Sequence, residues 1–129
     1  MLWAYETTLQ LDKWVESLDK AERIEVAALL DALTRMGPSL GRPVADTLNG
    51  SAYANMKELR GKTAGAALRI AFAFDPNRVA QVLCGGNKKG VSEKAFYKKL
   101  IEKADLLYGH HLEVIAARKK KEIRNKKGQ

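Results

Sequence analysis

The residues of greatest chemical interest in this chain are cations that stand beside very small side chains. The stretch "VLCGGNKKG", residues 82–90, places Lys88 and Lys89 just after a pair of glycines. The stretch "ALRIAFAF", residues 67–74, places Arg69 among alanines. Arginine binds phosphate through a planar fork and lysine binds it as a point charge. These positions predict contacts with a phosphate group.

The glycine pair raises the possibility of a nucleotide-binding loop. A Walker-type loop needs two glycines that flank four residues, followed by lysine and a hydroxyl side chain that can bind magnesium. Residues 85–90, "GGNKKG", lack that spacing, and no Ser or Thr directly follows the lysines. We therefore interpret the glycines as a turn that presents the lysines. The alternatives are a phosphodiester beside the lysines and an ordinary solvated connector.

The formal net charge of +8 is unevenly distributed. Residues 1–50 hold five Lys or Arg against eight Asp or Glu, whereas residues 51–117 hold eleven against six. The last twelve residues, "RKKKEIRNKKGQ", hold seven against one. Such a run is typical of a solvated helix end or a disordered arm, and less often of a nucleic-acid contact. The excess within residues 51–117 is the better indication of a polyanionic partner.

Length and composition favour a single domain in a reducing compartment. A chain of 129 residues can bury a core without disulfides or metal, and Cys84 has no second cysteine to pair with. Two histidines and one cysteine form no recognisable zinc spacing, so we expect neither a metal nor another cofactor. No apolar run is long enough to cross a bilayer, and the acidic first twenty residues do not resemble a secretory leader. We expect a cytoplasmic protein with no membrane contact.

The elements that position the cations can be read from hydrophobic spacing. "LWAYETT" indicates a first strand, and the spacing of Leu11, Trp14, Val15 and Leu18 predicts a short amphipathic helix. A second helix begins at Asp19, which can form a capping box with Glu22 three residues later, and ends at "GP". The short connection predicts a helix hairpin, and residues 38–52 read as a loop.

Strands follow the hairpin. Residues 53–60 predict a strand with a bulge or frayed end, residues 67–74 a strand, and "VAQVLCG" its antiparallel partner after the turn "DPNR". Ser92 can cap a closing helix with an apolar stripe, which Gly109 weakens and can bend or end. The fold class is therefore α+β: a small antiparallel sheet with an N-terminal helix hairpin packed on one face and a C-terminal helix.

The alternation in residues 67–74 gives the sheet two unlike faces. Large apolar side chains point to the helix hairpin, and the other face carries alanines with Arg69 among them. Small neighbours predict an open groove in which Arg69 binds phosphate and contributes little to stability. The equally weighted alternative is an ion pair with Glu58 on the neighbouring strand.

The segment "MKELRGKTAGAALRIAFAFDPNRVAQVLCGGNKKGVSEKAFYKKLIEKADLLYGHHL" resembles the RelE/HigB superfamily of type II toxins, in its phage-derived HigB-like branch. The resemblance implies a RelE-like domain over residues 1–117, followed by a basic tail over residues 118–129. It also implies a cytoplasmic endoribonuclease that cleaves mRNA, often on the ribosome. Its partner would be a helix-turn-helix antitoxin, and it would contact DNA only through the antitoxin complex.

The resemblance assigns roles to seven residues. It implies one set of catalytic residues and one set of RNA-binding residues. Metal-independent cleavage of RNA needs a base for the 2′-OH, a cation for the phosphorane and an acid for the leaving oxygen. Arginine suits the cation, Glu58 could be the base, and a lysine or Tyr97 could be the acid if clustered cations lower its pKa. The catalytic residues would be Arg69, Lys88, Glu58 and Tyr97, and the RNA-binding residues Lys57, Arg60 and Lys89.

The chain departs from its relatives in one chemical respect. Several of them carry a histidine late in the sheet for proton transfer, and this chain has only His110 and His111, which we expect at the surface of the last helix. A noncatalytic module that binds RNA or an antitoxin, including a degenerate toxin, therefore stays open as the alternative function.

Overall fold

The computed structural model describes residues 2–128, which form a mixed sheet with helices on both faces. The sheet has the strand order β1-β5-β4-β3-β2 and is antiparallel except for β1, which runs parallel to β5. A short 3-10 turn, Gly37–Ser39, follows the second helix. The other elements are β1 (Tyr5–Thr7), α1 (Leu9–Glu16), α2 (Lys20–Met36), β2 (Ala45–Thr47), β3 (Lys57–Lys62), β4 (Ala67–Phe74), β5 (Ala80–Asn87) and α3 (Glu93–Lys127). The predicted α+β fold class is confirmed.

The helix hairpin forms as its sequence signals predict. The Asp19 carboxylate accepts from the backbone N–H of Glu22 at 2.8 Å, and the Glu22 carboxylate accepts from the N–H of Asp19 at 3.0 Å. This reciprocal pair satisfies two N–H groups that a helix start leaves without partners. The apolar stripes of α1 and α2 then pack on the large side chains of the sheet. This first core contains Leu11, Val26, Leu29, Leu33, Leu59, Leu68, Ile70 and Phe72.

The alanine face is covered, which corrects the expectation of an open groove. Leu100, Ala104 and Tyr108 of α3 pack against Ala71 and Ala73, and both alanines are fully buried. Alanines on this face allow the α3 backbone to approach the sheet closely. The two faces therefore hold two separate cores, one under the hairpin and one under α3.

The glycine pair in β5 serves packing and does not form the turn that its sequence context suggested. A Cβ on Gly85 would lie 2.4 Å from Trp14 of α1, and one on Gly86 would lie 2.8 Å from Phe96 of α3. Aromatic rings on opposite faces of the sheet thus require two side chains to be absent. The turn itself is made by Gly90, whose φ of +76° favours glycine.

Three further details differ from the sequence-based predictions. The supposed loop at residues 38–52 contains β2, which pairs with β3. The irregular register lies between β4 and β5, and β3 pairs regularly, because Met56 and Leu59 belong to the two opposite cores. The helix α3 continues through Gly109, where a Cβ would lie 2.7 Å from the Tyr53 hydroxyl.

Candidate functional site

A cationic cleft opens at the end of the sheet where β3 finishes and β4 begins. It has a volume of about 750 Å³. Its lining includes four cationic residues and one acidic residue, Glu25 of α2. The cationic residues are Arg42, Arg60, Lys62 and Arg69. This balance favours an anionic ligand.

Arg69 lies at the base of this cleft in a buried network with Glu58 and Tyr97. Its Nε lies 3.3 Å from Glu58 Oε1 and donates to the Tyr97 hydroxyl at 3.2 Å. The Tyr97 hydroxyl donates to the same Glu58 oxygen at 2.7 Å. The side chains of Arg69 and Glu58 are 9% and 8% exposed. The two sequence-based alternatives for Arg69 are thus combined, since it pairs with Glu58 and also lines the cleft.

The guanidinium of Arg69 is fixed at a second point. Its Nη1 donates to the carbonyl of Leu68 at 2.9 Å. Because Nε and Nη1 are both engaged, the group cannot rotate freely toward a ligand. A phosphate in the cleft would therefore meet a cation whose orientation is already set, which lowers the entropic cost of the contact.

Tyr97 does not have the properties expected of a proton donor. Burial and the hydrogen bond to Glu58 raise the pKa of Tyr97, and the nearby Arg69 opposes this only in part. The condition set for Tyr97 as the acid, a pKa lowered by clustered cations, is therefore not met. A phenol that keeps its proton is suited to hold Glu58 and Arg69 in place.

Arg60 provides the accessible cation of the cleft. It lies directly opposite Arg69 in the β3–β4 register, with its side chain 37% exposed. Asp46 approaches Arg60 only to 3.8 Å and binds Arg42 at 2.9 Å. The N–H of Thr47, followed by Arg42, lowers the pKa of Asp46 despite some burial. Among residues 2–128, Arg60 therefore forms only a long ion pair with Asp46, and its guanidinium can bind a phosphate oxygen.

The three predicted lysines lie in different places. Lys88 and Lys89 lie at the cleft end of the sheet, where Lys88 pairs with Glu93 at 3.0 Å and Lys89 donates to the Ala64 carbonyl at 3.1 Å. Lys57 is two residues before Leu59 and shares its side of β3, and its amine donates to the Pro38 carbonyl at 3.2 Å. The structure therefore brings Lys88 and Lys89 near the cleft and separates Lys57 from it.

Three residues of the cleft were missed by the sequence reasoning. Lys62 could have been found, since it follows Glu58 and Arg60 at the alternation of a strand. Arg42 and Glu25 come from the connection before β2 and from α2, and they reach the cleft only through tertiary packing. No local pattern marks them as neighbours of β3.

A second polar network lies beyond the other end of β4. His111 Nε2 lies 2.8 Å from Asp75 Oδ2, and Gln81 donates to both Asp75 and Glu6. His111 is thus partly buried and bound, which corrects its expected place at the surface, whereas His110 is exposed as expected. Burial would raise the pKa of Asp75, but the hydrogen bonds from His111, its own turn and Gln81 together lower it.

This second network also has the composition of a possible metal site. Ligand atoms of Glu6, Asp75 and His111 lie within 4.8 Å of one another. The amide of Gln81 already donates to both carboxylates, so the contacts are those of a hydrogen-bonded network.

Burial raises the pKa of Cys84 to about 12, which excludes it as a thiolate ligand or nucleophile at neutral pH.

Residues 13–109 match the model of the family described as phage-derived protein Gp49-like. Two proteins of Mycobacterium tuberculosis that are named as toxins are similar to the chain. HigB2 is 39% identical over 120 residues, which cover 92% of this chain and 59% of HigB2. HigB3 is 45% identical over 96 residues, which cover 74% of this chain and 82% of HigB3.

A solved structure shares the fold. A mutant of the Escherichia coli toxin RelE, in the free state, superposes with a TM-score of 0.57 at 13% sequence identity. The match covers 80% of this chain and 97% of the RelE chain. Within residues 2–128, no helix combines the length and the apolar character that a membrane span requires.

Proposed function

The chain belongs to the phage-derived Gp49-like family within the RelE/HigB superfamily of toxins, and from this we propose that it is the toxin of a type II toxin-antitoxin system. We propose further that it is a metal-independent endoribonuclease that cleaves mRNA, bound on the ribosome, in the cytoplasm. The chain spans 59% of the length of HigB2, so the proposal rests on the cleft as well as on the family.

The observation that carries the proposal is the pairing of a fixed and an accessible arginine in one cleft. Arg69 is held by Glu58, Tyr97 and the Leu68 carbonyl, and Arg60 lies opposite it on β3. A phosphodiester in the cleft could contact both guanidinium groups. As the phosphorane forms, its additional negative charge would meet cations that need no reorganisation.

Two carboxylates could accept the 2′-OH proton. Glu25 lines the cleft, whereas Glu58 lies beneath it, accepts from Tyr97 and forms an ion pair with Arg69. A base needs hydrogen-bond reach to the proton that it removes, which favours Glu25 in this arrangement. Glu58 would then orient Arg69, and Lys88 beside the cleft would protonate the leaving oxygen.

The antitoxin follows from the charge of the cleft and from the toxin names of the relatives. We propose that the antitoxin is a helix-turn-helix protein with an acidic segment that covers Arg42, Arg60 and Lys62. The complex would contact DNA only through this antitoxin. Complementary charge favours both fast association and the choice of partner. Expression of the chain should arrest growth, and co-expression with the adjacent gene should relieve that arrest.

A noncatalytic binding module is the second candidate, and one observation favours it. Three of the four residues assigned to catalysis, Arg69, Glu58 and Tyr97, satisfy one another in a closed network. A cleft of this kind could bind RNA or an acidic segment without breaking a bond. RNA binding without cleavage, on ribosomes or free RNA, would select this alternative.

The proposed function is tested by RNA cleavage on translating ribosomes with matched variants of Arg60. Arg60→Ala should lower the cleavage rate by about 10-fold to 100-fold because it removes a phosphate contact, and Arg60→Lys should recover part of the loss. Arg35→Ala is the control, since Arg35 pairs only with Asp31 on the exposed side of α2. Equal cleavage by Arg60→Ala and the control would rule out this cleft.

Glu25→Gln and Glu58→Gln then separate the two possible bases. Loss of cleavage with unchanged stability in Glu25→Gln would identify the base at the cleft wall. Loss of cleavage in Glu58→Gln alone would instead assign the requirement to Glu58, as the base or as the group that orients Arg69.

A further inference from the structure

The final part of α3 extends beyond the domain. The helix is 35 residues long, which corresponds to about 52 Å. Its buried residues are Leu100, Ala104 and Tyr108, and every residue from 116 to 128 is exposed. The family match ends at residue 109. The projecting end of α3 therefore lies beyond the segment that the family model matches.

This projection is densely and uniformly basic. We call residues 118–127 the basic arm; it holds seven cations and one acidic residue, Glu122. At about 100° per residue the cations point to all sides of the helix. No ion pair joins any of them to a carboxylate of residues 2–128. The cations are Arg118, Lys119, Lys120, Lys121, Arg124, Lys126 and Lys127.

The arrangement of these cations discriminates between possible ligands. A helix that lies on a membrane or in a protein groove needs an apolar face, and the basic arm has only Ile123, which is 48% exposed. Cations three and four residues apart, such as Lys120 and Arg124, repel each other in the free helix. A ligand that supplies negative charge on several sides would relieve that repulsion. The phosphate rows that flank a groove of a nucleic-acid duplex supply it.

We propose that the basic arm is a second RNA-binding site, which binds the phosphate backbone of double-helical RNA without reading its sequence. RNA is the polyanion in question because the proposed function, on which this choice rests, is RNA cleavage. The arm begins 21 residues after Tyr97, about 32 Å along α3, so it would hold RNA at the end of the domain away from the cleft. The arm acts independently of cleavage, because none of its residues lines the cleft. The contact is electrostatic and releases counterions from the duplex.

The test uses the full-length protein with all seven cations of the arm changed to glutamine, which keeps the length and the helix propensity. A labelled 20-base-pair RNA duplex is titrated at several salt concentrations, and binding is followed by fluorescence anisotropy. Each phosphate contact steepens the fall of log K with log salt by roughly 0.9 on B-DNA, and we expect a similar value on an RNA duplex. The fall of log K with log salt should be steeper for the wild type than for the variant by about 3 to 6. The variant should also bind the duplex at least 10-fold more weakly at low salt.

The matched control is Arg60→Ala with Lys62→Ala, which removes two cations from the cleft and leaves the arm intact. The slope of log K against log salt for this control should differ from that of the wild type by about 2 at most. Equal slopes for the glutamine variant and the wild type would overturn the proposal. Equal or tighter binding of a DNA duplex would overturn the assignment to RNA. Duplex binding that depends on the arm, in a protein that cleaves no RNA, would support the arm and contradict the proposed function.

Discussion

Glu58 and Asp75 are both buried carboxylates that bind α3, but they bind it through different kinds of partner. Asp75 accepts from the backbone N–H groups of Asn77 and Val79, in its own turn, and also contacts Gln81 and His111. Glu58 accepts from the Tyr97 hydroxyl and forms an ion pair with Arg69. Tyr97 and His111 are fourteen residues apart, or about 21 Å along the helix.

The difference teaches how a structural carboxylate can be told from one that positions a functional group. The donors around Asp75 are its own turn, Gln81 and His111, and none of them lines the cleft. This network therefore stabilises the turn and the middle of α3. Glu58 has a guanidinium as its partner, and that guanidinium also lines a cationic cleft. We infer that the first network contributes stability and that the second contributes stability and function together.

Arg69→Ala gives the strongest test of that distinction. It should lower the free energy of unfolding by roughly 3 to 5 kcal/mol because Glu58 stays buried without its cation. It should also lower cleavage per folded molecule by about 100-fold or more through loss of phosphorane stabilisation. Urea unfolding and mRNA cleavage on translating ribosomes measure the two effects. The double variant Arg69→Met with Glu58→Leu should recover stability and not cleavage; recovery of both would make Arg69 purely structural.

Asp75→Asn should affect stability alone. It should cost about 2 to 4 kcal/mol at pH 7, since an acceptor for His111 and Gln81 is lost, with cleavage per folded molecule unchanged. The pKa of Asp75 in the folded protein lies below its ordinary value of 3.8. The stability that the charged Asp75 contributes is therefore complete above pH 3.8 and is lost as pH falls through the folded-state pKa. Urea unfolding from pH 7 to pH 2.5 should show the difference from wild type narrowing below pH 3.8. A constant difference would mean that the charge of Asp75 is not involved.

Tyr97→Phe should have a smaller effect on both properties. The ring still packs, but Glu58 loses a donor and Arg69 Nε loses an acceptor, at a cost of about 1 to 2 kcal/mol. Cleavage should fall by roughly 10-fold through poorer orientation of Arg69. The pH dependence of cleavage should keep its shape, because the pKa of Tyr97 is raised and the phenol is not the acid. Loss of the alkaline limb in the variant would restore Tyr97 as a proton donor.

Truncation after Ala117 should have the smallest effect on stability. Every removed residue that the structure describes is exposed, so the melting temperature should change by no more than about 2 °C. A larger fall in a calorimetric scan would show that the tail docks on the domain, and the predicted division into residues 1–117 and 118–129 would then be wrong.

Much of the fold could be predicted because local chemistry specifies it. The Asp19 and Glu22 capping box starts α2, and the alternation in residues 67–74 identifies β4. The strand β2 was missed because three residues carry no periodic signal. The position of α3 over the alanines could not be predicted, since its apolar stripe fits either face of a sheet.

The candidate site was predictable only in part, for a related reason. Glu58, Arg60 and Arg69 lie on two adjacent strands, and their alternation brings them to one face. The seven-residue set also included Lys57, which lies on the other face of β3, and omitted Arg42 and Glu25. Whether a side chain is buried, as Arg69 is, depends on α3 and cannot be read from the strand that carries it.

The parallel pairing of β1 with β5 makes the order of synthesis matter. Thr8 contacts Leu83, 75 residues later in the chain. At 5 to 20 residues per second, a ribosome needs roughly 4 to 15 s to make that interval. Until β3 and β4 are made, the amphipathic helices α1 and α2 have no sheet on which to bury their apolar stripes. The nascent chain therefore stays open to chaperones until its edge strand finds a partner that is made late.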